Sequence, residues 1–329
     1  MIFVTGGTGF LGMHLLRELV TRGRHVRALK RKQTLLLLEK SFVEKIEWIE
    51  GDVLDLPLLE DGMEGCNEVY HCAAKVSFQS KDRASLREIN VEGTANVVNV
   101  ALHHKIRKLL HVSSVAAIAA NTADLPINEN IEGEHTVSSN YGISKYLGER
   151  EVWRGVAEGL NAVVINPAVI IGSGNWLEGT PAFFLKIWQG MPFYTSGGCG
   201  FVAVEDVVKL MVYLMESEIK NERFIISAED WTYKDFLFLI AECQGKKPPH
   251  INVPPLLSEL LWRFESLCSK FLPYPALFSK ETARLSQLRQ YHDSSKIKNV
   301  TNFRFTPIKQ SVEETCRQLM EDVKEGKIK

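Results

Sequence analysis

Of the eight tyrosines in the 329-residue chain, only Tyr141 is followed four residues later by a lysine, Lys145. On a helix that spacing puts both on one face, with Cβ atoms about 5–6 Å apart. A free phenol has a pKa of about 10 and exchanges protons poorly at neutral pH. A neighbouring ammonium favours the phenolate and lowers that value, which makes the hydroxyl a usable general acid or base. Two more hydroxyls, Ser113 and Ser114, follow the apolar stretch Lys108–Val112, where one of them could polarise a carbonyl. A tyrosine–lysine pair alone is more often a surface contact, so the reading depends on what positions it.

Tyr141-Gly142-Ile143-Ser144-Lys145 opens a helix predicted to run to about Glu158, and Lys108–Val112 reads as a strand. In open α/β sheets ligands bind at the carboxyl ends of strands, where Ser113 and Ser114 fall. The chain begins with a strand, Ile2-Phe3-Val4. The glycine turn Thr5-Gly6-Gly7-Thr8-Gly9-Phe10-Leu11-Gly12 follows, and then helical apolar spacing through Val20. Gly6 can turn the chain sharply, Gly9 lets backbone approach a pyrophosphate, and Gly12 allows close helix packing. Free N–H groups at the helix start would hold the phosphates. This is the pattern of a dinucleotide site, and a plain βα turn is its bland alternative.

Three further strands are predicted, at His25–Lys30, Ile46–Ile49 and Glu68–Cys72. An acid at the end of the second strand would hold the ribose 2′-OH of NAD. Lys30, Arg31 and Lys32 stand there instead, a fork and point charges suited to the 2′-phosphate of NADP, or otherwise a solvated basic corner. Asp52, ahead of Val53, either accepts from an adenine amine or caps the next helix. Ala73 and Ala74 leave space over a strand end, while His71 reads as a packed residue. A helix over 83–104 carries Asn90. It ends on adjacent His103 and His104, which should diverge around a helix, so no metal site is expected.

Together, Thr5–Gly12, Gly51-Asp52-Val53, His71–Ala74, Asn90, Ser114 and Tyr141-x-x-x-Lys145 resemble the extended short-chain dehydrogenase/reductase family. Asn166–Gly172 and Phe201–Val207 extend the resemblance over nearly the whole chain. Within it, the sequence is most similar to the dihydroflavonol reductase and 3β-hydroxysteroid dehydrogenase branch. The resemblance implies a doubly wound parallel-sheet Rossmann fold with a smaller, mostly helical substrate domain. The boundaries expected are 1–165 plus about 200–228 for the first domain, and 166–199 with 229–329 for the second. It implies Tyr141 as general acid/base, Lys145 as its partner and ribose ligand, and Ser114 rather than Ser113 as the carbonyl-orienting hydroxyl. Asn90 would brace the site. Asp52 and Val53 would contact adenine, and Pro167 with Val169 would flank the nicotinamide of NADP(H), with NAD(H) the less favoured cofactor.

The rest of the sequence bounds this reading. A net charge of −1 gives no basic field for nucleic acid. Six cysteines without a Cys-x-x-Cys read as reduced thiols. A first strand at Ile2 leaves no room for a signal peptide, so a cytoplasmic protein is expected. Residues 172–200 hold Trp176, Phe183, Phe184, Trp188, Phe193 and Tyr194, either a substrate loop and lid or core of the smaller domain, with the lining role favoured. Leu256–Leu272 forms an apolar helical stripe that packs, covers a hydrophobic substrate or touches a membrane, packing being favoured. A C-terminal helix should start near Gln310. The expected partners are a hydrophobic small molecule and a second copy of the chain, docked through 84–103 and 141–158. The rival functions are a nucleotide-sugar epimerase or dehydratase with retained cofactor, and a non-catalytic NADP sensor or scaffold.

Overall fold

The structure, a computed structural model, describes residues 1–32, 39–118, 126–131, 139–256, 259 and 279–328. Its first half alternates strand and helix. β1 (Ile2–Thr5), α1 (Phe10–Thr21), β2 (Val26–Lys30), α2 (Lys40–Val43), β3 (Ile46–Glu50) and α3 (Leu56–Met63) come first. β4 (Glu68–His71), α4 (Arg83–Arg87), α5 (Gly93–His103), β5 (Lys108–Val112), α6 (Asn140–Ala157) and β6 (Ala162–Pro167) follow. A seven-stranded sheet in the order β10-β6-β5-β4-β1-β2-β3 results, with β10 at Glu222–Ile226. All its pairings are parallel, with Thr5 opposite His71 and His71 opposite His111.

Parallel strands must be covered on both faces, and the alternation of their side chains shows how. Leu110, Val163 and Ile165 point toward Leu15, Leu16 and Leu19 of α1 and the apolar side of α8 (Val204–Glu216; α7 is given below). Leu109, Ala162 and Val164 point the other way, onto Leu59 of α3, Val97 and Ala101 of α5, and Val152 of α6. The sheet order reverses between β1 and β4, opening a crevice at their carboxyl ends. The glycine turn and Ala73 both follow strands that end there. The doubly wound sheet expected from the sequence is the observed one.

The helix expected over 83–104 is broken by a π-helical turn, Glu88–Glu92, between α4 and α5. Such turns often mark functional positions, and this one contains Asn90. Beyond β6 the chain forms β7 (Val169–Ile171), α7 (Pro181–Trp188), β8 (Phe193–Tyr194), β9 (Gly198–Ala203), β11 (Glu229–Thr232), α9 (Tyr233–Cys243) and β12 (Ile251–Asn252). β11-β9-β7 make a three-stranded sheet and β12-β8 a two-stranded one. Phe184 of α7, Phe201 of β9, Phe236 of α9 and Val312 of the C-terminal helix Ile308–Lys324 share one core.

That core decides part of the question about residues 172–200. Trp176 and Phe184 are buried in it, with Trp188 and Tyr194 packed against it. Trp176 also donates to Asp322 Oδ2 at 2.8 Å. A substrate-lining role for the whole stretch therefore does not hold; Phe183 and Phe193 are its exposed aromatics. The apolar stripe Leu256–Leu272 lies, apart from Leu256 and Glu259, outside the described residues. No helix among the described residues is long and apolar enough to cross a membrane.

Candidate active site

Tyr141 stands in the first turn of α6, a position fixed from two sides. The Ser139 hydroxyl caps the helix by accepting from Gly142 N at 2.9 Å. The Glu281 carboxylate accepts from Asn140 N at 3.2 Å and also from the Asn140 side chain. The phenol ring packs edge-on against Phe78, with centroids 5.6 Å apart. Its hydroxyl lies beside the side chain of Ser114, the residue two positions past the end of β5 that caps the 3-10 turn Val115–Ala117. The Ser114 Oγ also accepts from Ala116 N at 3.1 Å. Ser113, one residue earlier, is buried, and its hydroxyl finds no partner among the described residues. Strand alternation separates the two serines, and the one that meets the phenol is Ser114.

Lys145 comes one helical turn after Tyr141, is buried, and donates from Nζ to Val112 O at 2.8 Å. Burial pushes its pKa down to about 8. Burial also pushes the Tyr141 hydroxyl up from its ordinary value, and the neighbouring Ser114 side chain opposes the shift. The sequence argument assigned that opposing role to the Lys145 ammonium. Here the lysine is spent on the end of β5 and is itself partly neutralised by burial. A phenol of ordinary pKa, about 10, already carries its proton at neutral pH, as a proton donor must.

Asn90 is buried, and its side-chain hydrogen bonds go to neither Tyr141 nor Ser114. Its Nδ2 donates to Ser144 Oγ at 2.8 Å and to Lys75 O at 2.9 Å, while its Oδ1 accepts from Lys75 N at 2.7 Å. It therefore ties the loop after β4 to α6, one residue before Lys145, and acts as a brace. Gly148 makes the approach possible, since a Cβ there would lie 2.3 Å from Asn90 O. His71 is packed as expected, and its partners fix its tautomer. Thr94 Oγ1 donates to Asn90 O at 2.8 Å, so it accepts from His71 Nε2–H at 2.9 Å. His71 Nδ1 is then the acceptor for the Thr5 hydroxyl at 2.7 Å, leaving Thr5 Oγ1 to accept from Ala73 N at 3.3 Å. This chain of hydrogen bonds joins the ends of β1 and β4 to the π-helical turn.

Sequence reasoning missed a second buried network behind the site. Asn166 Nδ2 donates to Ser114 O at 2.9 Å and to Glu149 Oε2 at 3.0 Å. Glu149 pairs with Arg223 of β10 at 3.1 Å and accepts from Trp153 Nε1 at 3.2 Å. The edge strand is thereby linked to the backbone that carries the serine. A signal was available: Glu149 lies four residues after Lys145, on the same helical face.

With the fold and this geometry in place, residues 2–227 match the NAD dependent epimerase/dehydratase family. The chain belongs to that family. It is an extended short-chain dehydrogenase/reductase, as its motifs suggested, and an NAD(P)-dependent enzyme. It is 32% identical over 265 residues to the sterol demethylase protein B of Methylococcus capsulatus, covering 78% of each chain. It is 26% identical over 274 residues to the dihydroflavonol 4-reductase of Dianthus caryophyllus, covering 77% of this chain and 75% of that one. The UDP-glucose 4-epimerase of Thermus thermophilus in complex with NAD shares the fold, with a TM-score of 0.77 at 19% identity over 96% of this chain and 97% of that one.

Members of the family bind a dinucleotide, and the crevice between β1 and β4 fits one. Gly6 sits at φ 69°; a Cβ there would meet Ala73 N at 2.5 Å. Gly9 caps α1 without a side chain, and no acid stands in the helix's first turn, so its positive end is open to an anion. Phe10 packs beside the Gly172–Gly174 loop, its ring 2.8 Å from where a Gly174 Cβ would be. Asp52 does not cap α3; Asp55 does, by accepting from Leu58 N. Asp52 turns Oδ1 onto Leu54 N at 3.2 Å. Val53 is buried against Gly93. Arg31 and Lys32 are exposed just past β2, and neither forms an ion pair among the described residues, whereas Lys30 is paired with Glu50 at 2.9 Å. Pro167 ends β6, and Val169 is half-buried in β7.

The sequence argument against a metal near residues 103 and 104 does not hold. Glu60 of α3 enters between the two rings and meets His103 through Nδ1 but His104 through Nε2. Adjacent Cβ atoms do diverge, yet the two ring nitrogens differ in reach and so converge.

Proposed function

We propose that the protein is an NADP(H)-dependent reductase that converts a carbonyl on a fairly hydrophobic small molecule to a secondary alcohol, or runs the reverse. The observation that carries this reading is the placement of Tyr141 in the first turn of α6, with buried Lys145 one turn later bonded to the end of β5 and Ser114 two residues past that strand. Bound NADPH supplies a hydride to the carbonyl carbon. Tyr141 gives its proton to the carbonyl oxygen, and Ser114 orients that oxygen. Lys145, one helical turn from Tyr141, would hold the ribose and help return a proton from solvent to the phenol. Asn90 and the Glu149–Asn166 network act only by keeping these groups in place.

Two features favour this over sugar-nucleotide chemistry. The ring beside the acid is Phe78, an apolar neighbour. Residues 172–200 contain no arginine to grip a diphosphate. The test is NADPH consumption with a panel of hydrophobic ketones and aldehydes, run beside UDP-sugars. Turnover of a ketone supports the reading; interconversion of a UDP-sugar without net cofactor consumption overturns it.

The cofactor preference is a separate expectation. Arg31 and Lys32 are available to a 2′-phosphate, and a charge-assisted bond contributes about 1.5–3 kcal/mol. NADPH should therefore bind roughly ten- to hundredfold tighter than NADH. Fluorescence titration of both checks this. Arg31→Ala should erase most of the difference, and equal affinities in the wild type would remove the assignment.

A further inference from the structure

Glu60, His103 and His104 form a cluster that the reductase chemistry does not use. Glu60 Oε2 lies 2.8 Å from His103 Nδ1 and 2.7 Å from His104 Nε2. The three donor atoms all fall within 4.8 Å of one another. Among the described residues no lysine or arginine forms an ion pair with Glu60, so no fixed cation already occupies the point where the donors meet. The cluster is reachable from solvent: side-chain exposure is 34% for Glu60, 22% for His104 and 72% for His103.

We propose that Glu60, His103 and His104 bind a divalent transition-metal ion of the zinc class, with water completing the coordination. Two imidazoles and one carboxylate are a borderline donor set that suits zinc and its neighbours; the hard cations Mg²⁺ and Ca²⁺ prefer oxygen throughout. With metal bonds of about 2.0–2.1 Å, tetrahedral ligands stand roughly 3.3 Å apart. The present separations of 2.7 and 2.8 Å need to open by only about half an ångström, within the reach of rotamer adjustments at a partly exposed site. Each ring now points a nitrogen that carries hydrogen at the carboxylate. On coordination, His103 moves its proton from Nδ1 to Nε2, and His104 moves its proton from Nε2 to Nδ1, both through solvent.

Such an ion would clamp α3 to the last turn of α5. His103 is thirteen residues from Asn90, which lies in the π-helical turn ahead of α5, a span of about 20 Å at 1.5 Å per residue. The ion would therefore act on stability and leave the chemistry at Tyr141 alone. Glu60→Gln and His104→Ala should accordingly keep wild-type NADPH binding and turnover, which doubles as the check that they fold.

The experiment is calorimetric titration of ZnCl₂ into protein without an affinity tag, with a reductant present, and the same titration with MgCl₂. One Zn²⁺ should bind per chain, with no comparable Mg²⁺ binding. At a hundredfold excess over Kd, the ion should raise the Tm by about 5 °C. Each single variant should weaken binding by well over a hundredfold, beyond the 10–100-fold typical of losing a group that only supports a ligand. No Zn²⁺ binding to the wild type would overturn the proposal, as would equal Mg²⁺ affinity. Undiminished Zn²⁺ binding in folded Glu60→Gln and His103→Ala/His104→Ala variants would overturn it too.

Discussion

Tyr141→Phe is expected to lower carbonyl reduction by about 10²–10⁴-fold, the usual contribution of a positioned general acid. The substitution removes one hydroxyl and keeps the ring that packs on Phe78. Ser114 still accepts from Ala116 N, and Lys145 still donates to Val112 O. The fold should therefore persist and NADPH affinity should barely change. Lys145→Met should differ by weakening both turnover and cofactor binding. Steady-state kinetics with a fluorescence titration separate the two. A Phe variant as fast as wild type would show that Tyr141 is not the acid.

Gly12→Ala should be strongly damaging to the glycine turn. Its Cβ would lie 2.1 Å from Gly6 O and 2.9 Å from Gly7 Cα. These are backbone atoms that cannot swing aside, and Gly6 O is already bonded to Gly9 N at 3.0 Å. Either α1 lifts away from the turn or the turn opens. Both move the N–H groups that face the phosphates, so NADPH affinity should fall by roughly a hundredfold or more. Overpacking of this kind should also cost about 1–3 kcal/mol of stability. Gly9→Ala is the contrasting case. Its Cβ would meet only Gly6 O, at 3.3 Å, so stability should hold while close approach of a pyrophosphate suffers. Denaturant melts with cofactor titrations read both effects; a Gly12→Ala protein with native affinity would contradict the account of the turn.

Much of the fold was legible because its signals are local. The strand Lys108–Val112 is where the sequence placed it, and α6 begins one residue before Tyr141. Gly6 announced its turn through the need for φ above zero. The role of Gly12 was less plain: its close contact is with Gly6 and Gly7 rather than with the sheet. What the sequence could not display are contacts that depend on distant segments meeting. Arg223, Glu149 and Asn166 join only when β10 pairs with β6. The burial that raises the Tyr141 pKa and lowers that of Lys145 is likewise a property of the assembled chain. The convergence of His103 and His104 needed a third group from another helix. Trp176 and Phe184 show the limit of composition: an aromatic loop and an aromatic core read alike until packing separates them.

The central claim is that hydride leaves the cofactor for good and a proton arrives from Tyr141. It is tested most directly by turnover with NADPH deuterated at the transferring position of its nicotinamide, on the best ketone of the panel. The account predicts one deuterium on the carbinol carbon for each NADPH oxidised, with product formation lost in Tyr141→Phe. Product without deuterium, or substrate interconversion while the cofactor stays reduced, would contradict it.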